Sequence, residues 1–211
     1  MTLTLRYMRL DDVPEVAKID RQSFSMPWSE QSYRYEVGEA PYSYMVVLEE
    51  SRTNSTGGLR GIFNRIQGTS PIQVQRQIVG YGGLWNIADE AHISTIATHP
   101  KYRGHGYGAL LLAAMVQKSI ALHAAYVVLE VRMSNTIAQN LYLKYGFRKV
   151  MIKPGYYHDN GEDAYDMRLD LEDEAAVRHF KARYAEISHR FDLIDDYTDK
   201  PHPRHSQMLK R

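Results

Sequence analysis

The spacing of hydrophobic positions changes several times along this chain, and each change marks an element. Leu3, Leu5 and Tyr7 alternate with polar residues, so residues 3–9 read as a strand. Val13, Val16, Ala17 and Ile19 then recur at helical spacing behind Asp11-Asp12 and Pro14, which predicts a capped helix ending near Phe24. After the loop Ser25-Met26-Pro27-Trp28, Ser29 is placed to cap a short second helix that stops at Gly38. Residues 43–49, 78–87 and 92–98 read as strands.

A glycine-rich turn and an apolar run predict a helix to about His123. It is followed by Tyr126-Val127-Val128-Leu129-Glu130-Val131, whose near-continuous apolar character predicts a central strand buried on both faces. Asn135 opens another helix carrying Ile137, Ala138, Leu141, Tyr142 and Tyr145, and Gly146 closes it. Residues 147–152 form a strand, and after an Asp159-Asn160-Gly161 turn the alternating Tyr165, Met167, Leu169 and Leu171 form its return. The order predicts a mixed α/β fold with one short parallel pair bracketing the helix that follows the glycines. Residues 1–171 form the expected domain. Residues 172–211, helical over 175–190 and ending in Pro201, Pro203 and Lys210-Arg211, read as an appendage with a frayed end.

One stretch resists this pattern. From 51 to 77 there are Arg52, Arg60, Arg65 and Arg76 but no acidic residue, and Gly57, Gly58, Gly61, Gly68 and Pro71 break any periodicity. It reads as a long, mobile hairpin arm, either a solvated insertion or a contact for an acidic partner such as ribosomal RNA.

Composition narrows the class. With 211 residues, 44% hydrophobic and 24% charged, the chain can bury the core of one globular domain with additions. A net charge of +1 gives no global reason for nucleic acid or an anionic membrane as the main partner. The absence of cysteine excludes a disulfide framework, a thiolate metal site and a covalent thioester intermediate on the enzyme. The N-terminus lacks a signal-peptide build and no apolar run reaches the ~18 residues of a membrane span, so a cytoplasmic protein is expected.

The chemistry concentrates in Arg103-Gly104-His105-Gly106-Tyr107-Gly108. Three alternate glycines cost backbone entropy and return no packing, so they serve backbone shape. Set before a helix N-terminus with its unpaired amides, and beside Arg103, they describe a phosphate or pyrophosphate site. A tight turn that binds nothing is the plain alternative. Gly104-x-Gly106-x-x-Ala109 also fits a loose dinucleotide fingerprint, with Glu130 near the ribose-acid position, but residues 99–103 make the strand-to-glycine connection too long. No Gly-Lys-Ser/Thr follows, which excludes a Walker loop.

Arg103-x-x-Gly106-x-Gly108 between an apolar strand and a long apolar helix resembles the pyrophosphate loop of the GNAT acetyltransferases. Leu129-Glu130-Val131-Arg132, Ser134-Asn135-x-x-Ala138 and Leu141-Tyr142-x-x-Tyr145-Gly146-Phe147 are similar to the catalytic half of the bacterial ribosomal-protein-alanine N-acetyltransferases within that superfamily. Pro27-Trp28-Ser29 and Gly155-Tyr156-Tyr157, with Asp159, Gly161, Glu162, Asp163 and Ala164 after it, look like their substrate-side loops. The matches span roughly residues 3–171 in the family's order. The resemblance implies the GNAT fold, a mostly antiparallel sheet with a short parallel pair and helices on both faces.

It also implies roles. Acetyl-CoA would be the cosubstrate, with no metal. Its pantetheine would pair with the backbone of Ile96, Ala97 and Thr98 and touch Asn135, and its diphosphate would lie on Arg103, Gly104, His105, Gly106, Tyr107 and Gly108. Glu130 would act as general base through water, and Tyr142 would protonate the departing thiolate. Trp28, Tyr156 and Tyr157 would shape the opening for a protein N-terminus, with a ribosomal protein as the family's typical acceptor.

Read without the resemblance, Glu130 lies in an apolar strand where desolvation would raise its pKa toward a usable base, or else it forms a buried ion pair with Arg132 or Arg103. Asn135 and Tyr142, two turns apart, share one helical stripe that lines a ligand or packs as an ordinary aromatic. The histidines at 92, 99, 105, 123 and 158 lack metal-ligand spacing and read as loop or surface residues. An α-amino acceptor suits this chemistry: deprotonating it at pH 7 costs about 1 kcal/mol, against about 4 to 5 for lysine. Two alternatives remain open: the same fold acting on lysine or a small amine, and a non-catalytic acyl-CoA-binding or ribosome-associated module.

Overall fold

A computed structural model describes residues 1–53 and 74–204. The interior of the predicted arm, 54–73, and the predicted frayed end, 205–211, lie outside the described residues. The arm's base is strand: β1 (Thr2–Tyr7) pairs antiparallel with β2 (Ser43–Thr53), and β2 with β3 (Val74–Ile87) as far as Thr53↔Val74. β4 (Glu90–Thr98) returns along β3. The rest are β5 (Tyr126–Arg132), β6 (Arg148–Tyr157), β7 (Glu162–Asp170) and β8 (Leu193–Asp196), and they complete an 8-stranded sheet in the order β6-β7-β5-β4-β3-β2-β1-β8.

Two helices cover one face, α1 (Val13–Ser23) and α2 (Glu30–Gly38). Their apolar sides close a cluster of Val13, Val16, Ala17, Ile19 and Tyr33 over Val47, Ile78 and Tyr81. The other face carries α3 (Tyr107–Ala121), α4 (Thr136–Lys144) and α5 (Glu174–Ser188), over a larger core that includes Leu110–112, Val127, Leu129, Tyr145 and Phe180. Ser29 caps α2 as predicted, its hydroxyl accepting from the Ser32 N–H at 3.0 Å. Asp12 does not cap α1 with its side chain. Its carboxylate is taken by Arg6, at 2.7 and 2.9 Å, and by the Arg9 N–H, which fixes the start of α1 to β1.

Two expectations are corrected. Residues 172–204 are no appendage: α5 buries Phe180 and Ile187, β8 pairs parallel with β1, and Tyr197 is fully buried with its hydroxyl donating to the Tyr44 carbonyl. Buried Lys118 of α3 donates to the carbonyls of Tyr197, Thr198 and Lys200, among the rings of Tyr7, Tyr44 and Tyr197. Burial pushes that amine below its ordinary range, and three carbonyls compensate. The polar composition of the tail hid this, because a few large aromatics supply the anchoring. Second, β5 is not buried on both faces. Val127, Leu129 and Val131 are buried under α3 and α4, whereas Tyr126, Val128, Glu130 and Arg132 are only half-buried, and Glu130 and Arg132 line a cavity.

Among the described residues no helix is long and apolar enough to cross a membrane.

Candidate active site

β4 and β5 run parallel but pair only over Glu90–His92 and Tyr126–Val128. Beyond that point both strands continue without each other, β4 to Thr98 and β5 to Arg132. The main-chain edge of β4 from Ile93 onward therefore has no strand on that side, and its amides and carbonyls are available to an extended ligand. A cavity of about 480 Å³ fills the split. Ile93, Ile96, Leu129, Glu130, Asn135 and Tyr142 line its walls, and Trp28, Tyr156, Tyr157 and His158 its mouth.

At one end of the split lies the glycine turn. Gly104 and Gly106 adopt φ of 82° and 90°, a left-handed backbone that side chains disfavour. Gly106 is the N-cap of α3, so the first amides of that helix point out of the turn. Gly108 serves otherwise. Its backbone is not left-handed, and a methyl group there would meet Thr98 Oγ1 at 3.4 Å, about an ordinary contact. Arg103 Nε donates to the Thr98 carbonyl at 3.4 Å, and its Nη2 lies 3.4 Å from Ser23 Oγ. His105 Nδ1 sits 3.0 Å from the Arg103 carbonyl. The Tyr107 side chain is buried in the core, so only its amide faces the turn.

Across the split, Glu130 is held by two partners, His92 Nε2 at 2.8 Å and Lys153 Nζ at 2.5 Å. Burial pushes the carboxyl up, but the bonds and charges of His92 and Lys153 outweigh it and bring the group down to about 2. The expected raised pKa is thus overturned, because a cation and an imidazole occupy the carboxylate. The expected ion-pair partners are corrected too. Arg132 instead pairs with Asp159 at 2.7 Å and Glu162 at 3.0 Å, and Arg103 makes no ion pair among the described residues. Lys153 is shared with Asp166 at 3.0 Å; against the effect of burial, these two acids hold its charge above the ordinary range.

Tyr142 lies on the stripe predicted with Asn135, and both line the cavity. Burial first, and the nearby Tyr157 second, raise its phenol well above the ordinary range. Asn135 Oδ1 caps α4 by accepting from the Ala138 N–H at 3.1 Å.

The mouth rests on groups that the sequence reading passed over. Buried Asp20 of α1 accepts from the Trp28 N–H at 2.7 Å and from the Tyr81 hydroxyl, and Tyr81 receives a bond from Tyr33 at 3.1 Å. Trp28 then stacks on Trp85, ring centroids 6.1 Å apart. Arg132 covers the Tyr157 ring at 3.8 Å and reaches Ser25 Oγ at 3.2 Å, linking the α1–α2 loop to the β6–β7 hairpin. His92 was read as a loop or surface residue; it is a strand residue bonded to Glu130. His92 lies on the face of β4 opposite buried Ala91 and Ile93, a bulge at Ser94 reverses the alternation beyond it, and only the β4–β5 register brings His92 beside Glu130.

A split parallel pair, an amide-rich turn at a helix start, and an acid and a tyrosine lining the same cavity thus meet in one place. The model of the Acetyltransferase (GNAT) family matches residues 13–147. A Bacillus subtilis protein provisionally named a ribosomal protein bS18-alanine N-acetyltransferase is 34% identical over 79% of this chain and 95% of its own length. An N-alpha-acetyltransferase from Saccharolobus solfataricus is 34% identical over 80% of this chain and 93% of its length. The crystal structure of the ribosomal-protein-S18-alanine N-acetyltransferase from Escherichia coli superposes with a TM-score of 0.62 at 24% identity, covering 80% of this chain and 94% of that one. The chain belongs to the GNAT acetyltransferase family. It is an N-acetyltransferase with acetyl-CoA as cosubstrate.

Proposed function

We propose that this enzyme transfers the acetyl group of acetyl-CoA to the N-terminal α-amino group of a protein, by direct attack within a ternary complex. A ribosomal protein is the acceptor class to which the names of the Bacillus and Escherichia relatives point. The observation that carries the reading is the convergence of Glu130, Asn135, Tyr142 and the aromatic mouth on one cavity, in the split beside the glycine turn. In this reading the pantetheine pairs with the free edge of β4 at Ile96, Ala97 and Thr98, and the diphosphate lies on the amides from Arg103 to Gly108.

Energetics decide how the proton leaves. Moving it from an α-ammonium of pKa ~7.8 to an acid near 2 is uphill by about 8 kcal/mol, so Glu130 does not take the proton alone. Glu130 and His92, joined at 2.8 Å, therefore act as one unit that accepts the proton through water. The same burial that keeps the Tyr142 phenol protonated makes it a weak acid. Its role is then hydrogen-bond donation to the departing sulfur, which stabilises charge in the transition state. With no cysteine in the chain, no thioester forms on the protein itself.

The arm's reading as a ribosome contact draws no support from its described ends, where Arg52 pairs with Glu50, and Arg76 with Glu49 at 3.8 Å. The test of the function is mass spectrometry of peptide libraries incubated with acetyl-CoA, comparing free N-termini, blocked N-termini and lysines. Acetylation of free N-termini is expected, and acetylation confined to lysine would remove this reading.

A further inference from the structure

The connection from α5 to β8 crosses the start of α3, beside the glycine turn. Its two ends are fixed. Buried Ile187 closes α5, and the Arg190 N–H donates to the Ile187 carbonyl at 3.2 Å. Two residues on, the Asp192 carbonyl accepts from the Leu3 N–H at 2.8 Å. Between these points Phe191 packs against Tyr107, ring centroids 5.6 Å apart. A methyl group at Gly106 would lie 3.5 Å from Arg190 Nη1 and 3.5 Å from the Phe191 ring. The guanidinium of Arg190 therefore hangs over the left-handed residue that starts α3.

Arg190 makes no ion pair among the described residues. Its acidic neighbour Glu186 is bonded to Arg183 at 2.8 Å, and that bond, then the charges of Lys144, Arg183 and Arg190, hold the Glu186 carboxyl below its ordinary range, so Arg190 feels this acid without pairing with it. Its planar fork suits phosphate oxygens, and the Phe191 ring, 5.8 Å from the guanidinium carbon, limits its freedom at little cost. The connection also lies beyond residues 13–147, the part matched by the family model. It is a feature of this chain's own C-terminal segment.

We infer that Arg190 is a second cation of the acetyl-CoA site, binding a phosphate of the cosubstrate's 3′-phospho-ADP end. The inference rests on reading residues 103–108 as the diphosphate turn. The diphosphate and the ribose 3′-phosphate present the same chemistry to a guanidinium. On this account the C-terminal segment does two things: it completes the sheet through β8 and closes the donor site from outside the family core.

The test is calorimetric titration of CoA, dephospho-CoA and pantetheine into the full chain and into its Arg190→Gln and Arg190→Lys variants. Arg190→Gln should bind CoA about tenfold more weakly, the scale of one exposed charge-assisted contact, with pantetheine unchanged and part of the loss recovered by lysine. If dephospho-CoA is unaffected by the substitution, the partner is the 3′-phosphate; if it weakens in step with CoA, the partner is the diphosphate. Either outcome supports the inference. Unaltered CoA binding in Arg190→Gln overturns it, and so does an equal loss for pantetheine, which would mark a structural effect. Wild-type chain that binds CoA no better than pantetheine sinks the diphosphate turn itself, and Arg190's role with it.

Discussion

The donor end of the cavity is walled by main chain, the acceptor end by side chains. Where acetyl-CoA is proposed to lie, the boundary is the unpaired edge of β4 and the amides at the start of α3. At the mouth, each boundary group is held by another side chain: Trp28 by Asp20, Tyr157 by Arg132, and Arg132 by Asp159 and Glu162. A main-chain wall depends on strand register and on a few glycines, so it tolerates drift in sequence. A wall of side chains changes with single substitutions. One scaffold can in this way keep a fixed donor while its acceptors diverge.

The sharpest break of this contrast comes at the point where the two ends meet. Glu130→Gln and His92→Gln should each lower kcat by about 10² to 10³, the usual worth of a positioned acid or base. Tyr142→Phe should lower it by about tenfold to a hundredfold, the worth of one hydrogen bond made in the transition state. The KM for acetyl-CoA should move less than about threefold in all three, since none is assigned to ground-state binding. Steady-state rates on an N-terminal peptide decide the matter. Full activity in both Glu130→Gln and His92→Gln would leave the proposed proton acceptor without a role.

A smaller break is confined to the donor end. Gly106→Ala forces a side chain into a left-handed backbone at a cost of about 1 to 2 kcal/mol, next to Arg190 and Phe191. The KM for acetyl-CoA should rise about tenfold if binding requires that backbone, with the acceptor KM unchanged. A variant with normal acetyl-CoA kinetics would mean that the turn's shape is irrelevant to the donor.

The contrast between the two ends also accounts for what could be read from sequence. Main-chain features leave local marks: alternate glycines at a helix start, Asn135 as a cap, and Asn135 and Tyr142 two turns apart on one stripe. Each is set by neighbours within a few residues, so the donor end was legible. Side-chain walls are set by register between distant strands. His92 meets Glu130 only because β4 and β5 align His92 with Val128, and Lys153 reaches across from β6 over the Asp166 position of β7. Nothing near Glu130 in the chain marks those partners, and so the sign of its pKa shift was misread. The docking of the C-terminal segment was missed for a related reason: Phe180, Ile187 and Tyr197 are too widely spaced to form a periodic pattern, yet each fills a core site.

At the acceptor end the expected effect is smaller again. Arg132→Gln removes two ion pairs and the cover over Tyr157, all partly exposed, each worth about 1 kcal/mol or less. The acceptor KM should rise roughly threefold to tenfold while the acetyl-CoA KM holds. An increase in the acetyl-CoA KM alone would reverse the assignment of the two ends.

The smallest effect separates two carboxylates by their surroundings. Glu130 and Glu162 are both brought down to about 2, Glu130 by His92 and Lys153 against the effect of burial, Glu162 by Ser134 with Arg132 at the surface. A carboxyl with a depressed folded-state pKa stabilises the fold above its unfolded value near ~4.3, and that contribution is lost as pH falls through the folded value. Both should therefore weaken the fold between about pH 4.5 and 2. Salt tells them apart, because screening reaches exposed charges and largely spares enclosed ones. In urea titrations across that range, the difference between wild type and Glu162→Gln should shrink at ~1 M salt, while the difference for Glu130→Gln persists. If both differences vanish together, Glu130 is as open to solvent as the hairpin, and the enclosed charge network at the centre of the proposed mechanism does not exist.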